Sequence, residues 1–197
     1  MKYYFKQAIL PFIYLIFTAM LGMGIKTMGD KMPGLQLLLN IVNFLLYAIV
    51  VFMANYKDGE KAMDVRYRND RFREVIVRTG EDITLNESEE YKPWKGFVFG
   101  AIACIPLVVF IIIHCFYAGF GGSNIFGTIG GILYMIIFSF FWQYIEVFTW
   151  STFLYMLVAI PVISAITGFG FMIGAKKSEK KYEEIAKRES ILHGDKQ

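Results

Sequence analysis

A chain of 197 residues that is 56% hydrophobic, 19% charged and of mean hydropathy +0.46 carries more apolar surface than one soluble core of its size encloses. A bilayer is its expected solvent. The formal net charge of only +3, with no interleaving of basic and aromatic residues on a soluble face, argues against a nucleic-acid binder. The expected fold is one all-α integral membrane domain over residues 1–197, with four transmembrane helices, an outer re-entrant or interfacial helix and a short helical cytoplasmic segment; five transmembrane helices is the alternative.

The first expected span is residues 8–25. Lys2 and Lys6 precede it, as in a signal peptide, but the apolar run is long and no small-x-small site follows. It reads as a retained transmembrane helix that also targets the chain. The second span, residues 35–56, carries Gln36, Asn40, Asn43 and Tyr47 at i, i+4, i+7 and i+11, one stripe of a helix. Amides in lipid are costly unless paired. The stripe is therefore either interhelical glue or the lining of a polar path.

Residues 57–95 follow, with nine of the twenty Lys and Arg. Ala62, Val65, Phe72, Val75 and Ile76 have helical spacing, and Gly80 after Arg78 reads as a helix stop. Asp58, Glu60 and Asp64 read as a solvated helix face. Residues 82–90 are acidic and read as a loop. Pro93, Trp94, Lys95 and Gly96 then form an interfacial anchor before the third span, residues 97–118. Cys104 and Cys115 on this span are eleven residues apart, about 16 Å along a helix, and cannot bridge each other. They read as reduced packing residues, and His114 as a packing histidine.

Residues 119–150 open with glycines and continue into a crowd of aromatics, Phe138, Phe140, Phe141, Trp142 and Tyr144 among them. Aromatics gather at membrane boundaries. Glu146 is a candidate buried acid if this segment spans, and reaches headgroup water if it does not. The last span is residues 152–174, and the tail, 175–197, begins with Lys176, Lys177, Lys180 and Lys181, expected to contact anionic lipid headgroups. Glu184 and Arg188 lie four apart, as in a charged helix. Pro11, Pro106 and Pro161 predict kinks in their spans. The pairs Gly96/Gly100, Gly127/Gly131 and Gly170/Gly174 are spaced for close helix approach.

The basic residues set the expected orientation. The start, residues 57–95 and the tail hold 18 of the 20 Lys and Arg, which puts all three in the cytoplasm by the positive-inside rule. Residues 125–147 then do not cross. Nothing in the chain has the form of a nucleophile with its base, a metal-ligand set or a phosphate-binding loop. The expectation is a non-enzymatic accessory or scaffold component of the cell membrane with no metal and no cofactor. Its partners would be membrane lipids and a protein, or a second copy of itself. The alternative is a small oligomeric channel or transporter that uses the stripe on the second span.

Overall fold

The computed structural model describes residues 2–29, 33–119 and 150–194. These residues form four α-helices and no strand: α1 (Lys2–Gly29), α2 (Pro33–Thr79), α3 (Lys95–Gly119) and α4 (Trp150–Gly194). Each of the ranges 8–25, 35–56, 97–118 and 152–174 falls inside one of them. The expected re-entrant segment, with Glu146, Gly127 and Gly131, lies outside the described residues, apart from Gly119 and Trp150 at its ends. The side chains of His114 and Cys115 lie outside them too.

Two of the described helical stretches are long and apolar enough to cross a membrane, Lys2–Gly22 and Gly34–Thr79. Only 29% and 22% of their apolar windows are buried. Phe17, Met20, Leu38 and Ile49 are each more than half exposed. The core helix of a soluble protein would bury such residues; among the described residues these two helices instead turn a broad apolar surface outward, as a membrane-spanning helix does. In α3 the stretch Lys95–Pro106 is apolar but shorter.

The sequence left open whether the helix after the second span continues from it or follows it, and expected a charged helix in the tail. Both are continuations: α2 and α4 run unbroken for 47 and 45 residues, about 70 and 68 Å, more than twice a hydrocarbon core of roughly 30 Å. The cause is local. Pro33 opens α2, where its missing N–H costs nothing. No further proline interrupts it, and Gly59, its one interior glycine before the far end, is held by packing against α4. The helix stops at Gly80, which has φ 70° and donates its N–H to the Ile76 carbonyl at 2.9 Å.

Side-chain neighbours give the helix directions. Along α2, Phe52, Tyr56 and Asp64 meet Gly170, Gly174 and Ser178 of α4 in the same order, so α2 and α4 are parallel. Gly96 lies against Phe171 and Gly100 against Ser164, so α3 is antiparallel to α4. Asn43 meets Thr18 while Tyr3 and Lys6 line a pocket with Asp58 and Lys61, so α1 is antiparallel to α2. The starts of α1 and α3 and the middles of α2 and α4 therefore share one level, called here the junction. The core of the described residues lies there: Ala62, Phe99 and Phe171, with Tyr3, Tyr4 and Tyr91 packed against them. Beyond the junction, residues 57–79 of α2 and 175–194 of α4 project as a parallel pair.

Three contacts tie this pair. Ser178 Oγ donates to Asp64 Oδ1 at 2.6 Å, Lys177 Nζ lies 3.0 Å from Glu60 Oε1, and the Tyr67 and Tyr182 rings stack at 4.1 Å. The expectation that Asp58, Glu60 and Asp64 form a solvated face holds for the exposed Asp64 and is corrected for the other two: the side chains of Asp58 and Glu60 are only 24% and 30% exposed, and Glu60 and Asp64 also join α2 to α4.

Candidate functional site at the junction

The stripe on α2 is part of that helix's inward face. Asn40, Asn43 and Tyr47 are buried and Gln36 is half-buried. Asn43 Nδ2 donates to the Thr18 carbonyl of α1 at 2.8 Å. The Thr18 hydroxyl turns back to the Tyr14 and Leu15 carbonyls of its own helix. Asn43 Oδ1 and the Tyr47 hydroxyl are buried with no hydrogen-bond partner among the described residues. One turn further along, Val51 is fully buried, and Asn55 folds its amide onto the Val51 carbonyl at 2.8 Å. The face closes there into packed side chains. Cys104 of α3 is buried on the opposite wall.

The junction holds most of the polar chemistry. Lys95, the first residue of α3, is 1% exposed. Its ammonium donates to the carbonyls of Glu87 (3.5 Å), Ser88 (2.8 Å) and Glu90 (2.5 Å), and lies 5.6 and 5.9 Å from the Tyr3 and Tyr4 ring centres. Burial, with Lys92 nearby, pulls the Lys95 ammonium below its ordinary value; Glu90 and Glu89 oppose that. The three carbonyls fix the 81–94 connection across the start of α1. Glu90 then pins it to α2, receiving Arg73 Nη2 at 2.9 Å and Asn69 Nδ2 at 3.4 Å. Partial burial pushes the Glu90 carboxyl up, but these hydrogen bonds outweigh it and hold the group below its usual value. The Tyr91 N–H completes the dock on the Ala62 carbonyl at 3.0 Å.

Beside this dock is a pocket of about 200 Å³ lined by Tyr3, Lys6 and Gln7 of α1, Asp58, Lys61, Ala62 and Val65 of α2, and Glu89 of the connection. Burial raises the Asp58 carboxyl above its ordinary value, with Lys61 and Lys6 acting against it. Burial likewise pushes the Tyr3 hydroxyl up to about 12, against its hydrogen bond with Gln7. The pocket gathers two cations, two carboxylates, an amide and a phenol within reach of one small ligand.

The expected lipid-contacting lysines Lys176, Lys177, Lys180 and Lys181 are all exposed. Lys177 is drawn towards α2, paired with Glu60 and 5.3 Å from the Tyr56 ring centre. No described group of three or more His, Cys, Asp or Glu is arranged to hold a metal ion. Sequence reasoning missed Lys95, taking it as a headgroup anchor. A signal was present: a cation on the first residue of a helix opposes the helix dipole and needs nearby acceptors. Glu89 and Asn69 gave no such sign, since only the folded-back connection brings them to the junction. No protein-family model, curated protein or solved structure matches the chain.

Proposed function

We propose that this chain is a non-enzymatic, multi-pass protein of the cell membrane that crosses four times and presents the projecting α2–α4 pair in the cytoplasm as a docking scaffold. The carrying observation is the parallel course of α2 and α4 past the junction, tied by Ser178–Asp64, Lys177–Glu60 and Tyr67–Tyr182. Two long helices kept parallel outside the apolar belt make a stiff platform rather than two loose tails. The four-span topology draws support from register. Gly100 faces Ser164, so Gly119 and Trp150 lie about 28 and 21 Å away in the same direction, at one end of the bundle. The connection between α3 and α4 then starts and ends on one side. The basic residues gather at the other. Lys176, Lys180 and Lys181 would meet anionic headgroups there, each contributing about 1 kcal/mol.

The test has two arms in intact cells. Single cysteines at positions 85 and 190 of a cysteine-free variant should resist an impermeant reagent added outside. A photo-crosslinker at Arg71 or Glu183 should give one discrete adduct, of a protein partner or a second copy. Labelling of position 190 from outside would overturn the four-span topology, and crosslinking to lipid alone would overturn the scaffold.

The second reading, a small channel or transporter, rests on Asn43 Oδ1 and Tyr47 OH, buried polar atoms without a described partner. It requires solute flux through purified protein in vesicles that disappears when Asn40 and Asn43 are both leucine. The packed Val51–Asn55 turn predicts none.

A further inference from the structure

We propose that the junction pocket is a binding site for an aminoethyl phosphate zwitterion, supplied by the headgroup of a phosphatidylethanolamine molecule. The balance of charge comes first. Lys6, Lys61, Asp58 and Glu89 line a cavity of about 200 Å³, two cations with two carboxylates. An anion alone would find the carboxylates repulsive, and a simple cation the lysines. A ligand with both signs on neighbouring atoms satisfies all four.

The lysines are available. Lys61 Nζ is 3.9 Å from Asp58 Oδ1 and its side chain is 77% exposed, a loose pair that can turn to a phosphate. Asp58 is the fixed partner, only 24% exposed. The Asp58 and Glu89 carboxylates and the Gln7 amide oxygen accept N–H hydrogen bonds, which a primary ammonium can donate and a quaternary one cannot. Quaternary ammonium groups are held by aromatic cages, and Tyr3 is the only aromatic among the described residues that line this pocket.

The level of the pocket selects a lipid over a free metabolite, and for this the inference rests on the four-span reading. Lys6 ends the polar start of α1. Ile9, Leu10 and Ile13 follow on the same helix face, at i+3, i+4 and i+7, and are 53%, 41% and 55% exposed. A headgroup seated between Lys6 and Asp58 would lay its acyl chains along this strip.

The experiment uses the full chain, delipidated in mild detergent, and native mass spectrometry of bound adducts. The probes are short-chain phosphatidylethanolamine, phosphatidylcholine and phosphatidylglycerol, and free O-phosphoethanolamine. The expected result is saturable binding of phosphatidylethanolamine, about tenfold tighter than the other two lipids. Asp58→Asn should remove that preference, and Lys6→Gln should weaken both phosphatidylethanolamine and phosphatidylglycerol. Glu89→Gln, on the exposed connection and therefore safe for folding, should lower phosphatidylethanolamine affinity severalfold. Equal affinity for the three lipids, or a preference untouched by Asp58→Asn and Glu89→Gln, would overturn the site. Free O-phosphoethanolamine binding as tightly as the lipid would overturn the lipid as its source. Detergent has no sides, so failure here leaves the four-span reading standing, and failure of the labelling experiment leaves the pocket chemistry standing.

Discussion

The two seams along α2 are built from opposite materials. On one side α2 meets α4 through missing side chains. A Cβ on Gly170 would stand 2.6 Å from the Phe52 carbonyl oxygen, and Cβ atoms on Gly174 and Gly59 would collide with the carbonyls of Tyr56 and Phe171. Backbone lies on backbone, and dispersion with weak Cα–H···O contacts does the joining. On the other side α2 meets α1 through the Asn43 amide on the Thr18 carbonyl. The first seam tolerates no added atom at these glycines, and past them Ser178–Asp64 and Lys177–Glu60 add polar ties. At the second, the Asn43 amide makes a hydrogen bond in a setting where other partners can be found. The glycine contacts fix the register of α2 against α4, whereas a side-chain hydrogen bond leaves α1 more freedom against α2.

The largest expected effect is at the glycine seam. Gly174→Val should cost about 3 kcal/mol or more, because the atom it strikes is backbone and cannot rotate away. Thermal unfolding in detergent reads it, and loss of the Tyr67–Tyr182 stack should accompany it. Gly34→Ala, where no heavy atom lies within 4 Å, is the control and should be neutral or slightly stabilising. An equal drop in both would refute the distinction.

Lys95→Met comes next. It leaves the carbonyls of Ser88 and Glu90 without their ammonium donor, at about 2 kcal/mol. Its signature is local: trypsin should cut the 81–94 connection faster while the unfolding of the bundle shifts little. Asn43→Leu should cost less, about 1 kcal/mol, with no change in vesicle permeability. A cost matching that of Gly174→Val would show that the α1–α2 seam is as exacting as its neighbour.

The smallest effect is in pH. The Glu90 carboxyl is held below its ordinary value, so its contribution is complete above about pH 4.5 and disappears as pH falls through its lowered value. A fluorophore at residue 85 should report release of the connection only in that acid range. In Glu90→Gln the signal should already be that of the released state at neutral pH. Release beginning near neutrality in the unmodified chain would point to a group other than Glu90.

The sequence makes some of this legible and hides the rest for identifiable reasons. Composition and run length locate the apolar stretches, because hydrophobicity is additive along a chain. The periodicity of Ala62, Val65 and Phe72 indicates a helix after the second span. It carries no information on whether that helix is continuous with the span, since the packing of Gly59 against the Phe171 backbone of α4 appears only in the fold. The glycine pairs are visible as spacings. Which helix each pair meets is not: Gly96 and Gly100 serve α3–α4, while Gly170 and Gly174 serve α2–α4. The stripe from Gln36 to Tyr47 is correctly one face, yet Val51 and Asn55 extend that same face as packing. The junction pocket was invisible, since its residues come from three stretches of chain brought together only by folding.

The prolines are unevenly placed. Pro11, Pro106 and Pro161 lie inside α1, α3 and α4, whereas the proline of α2 is its opening residue. Each of these three prolines removes one backbone hydrogen bond from its helix, and α2 has no such gap in its interior. A rod of about 70 Å acts as a lever: a tilt of roughly ten degrees about its middle sweeps each tip through about 6 Å. A partner bound at Arg71 or Val77 would be joined by one continuous helix to the surroundings of Gln36, with α4, packed along the middle of the shaft, as the fulcrum.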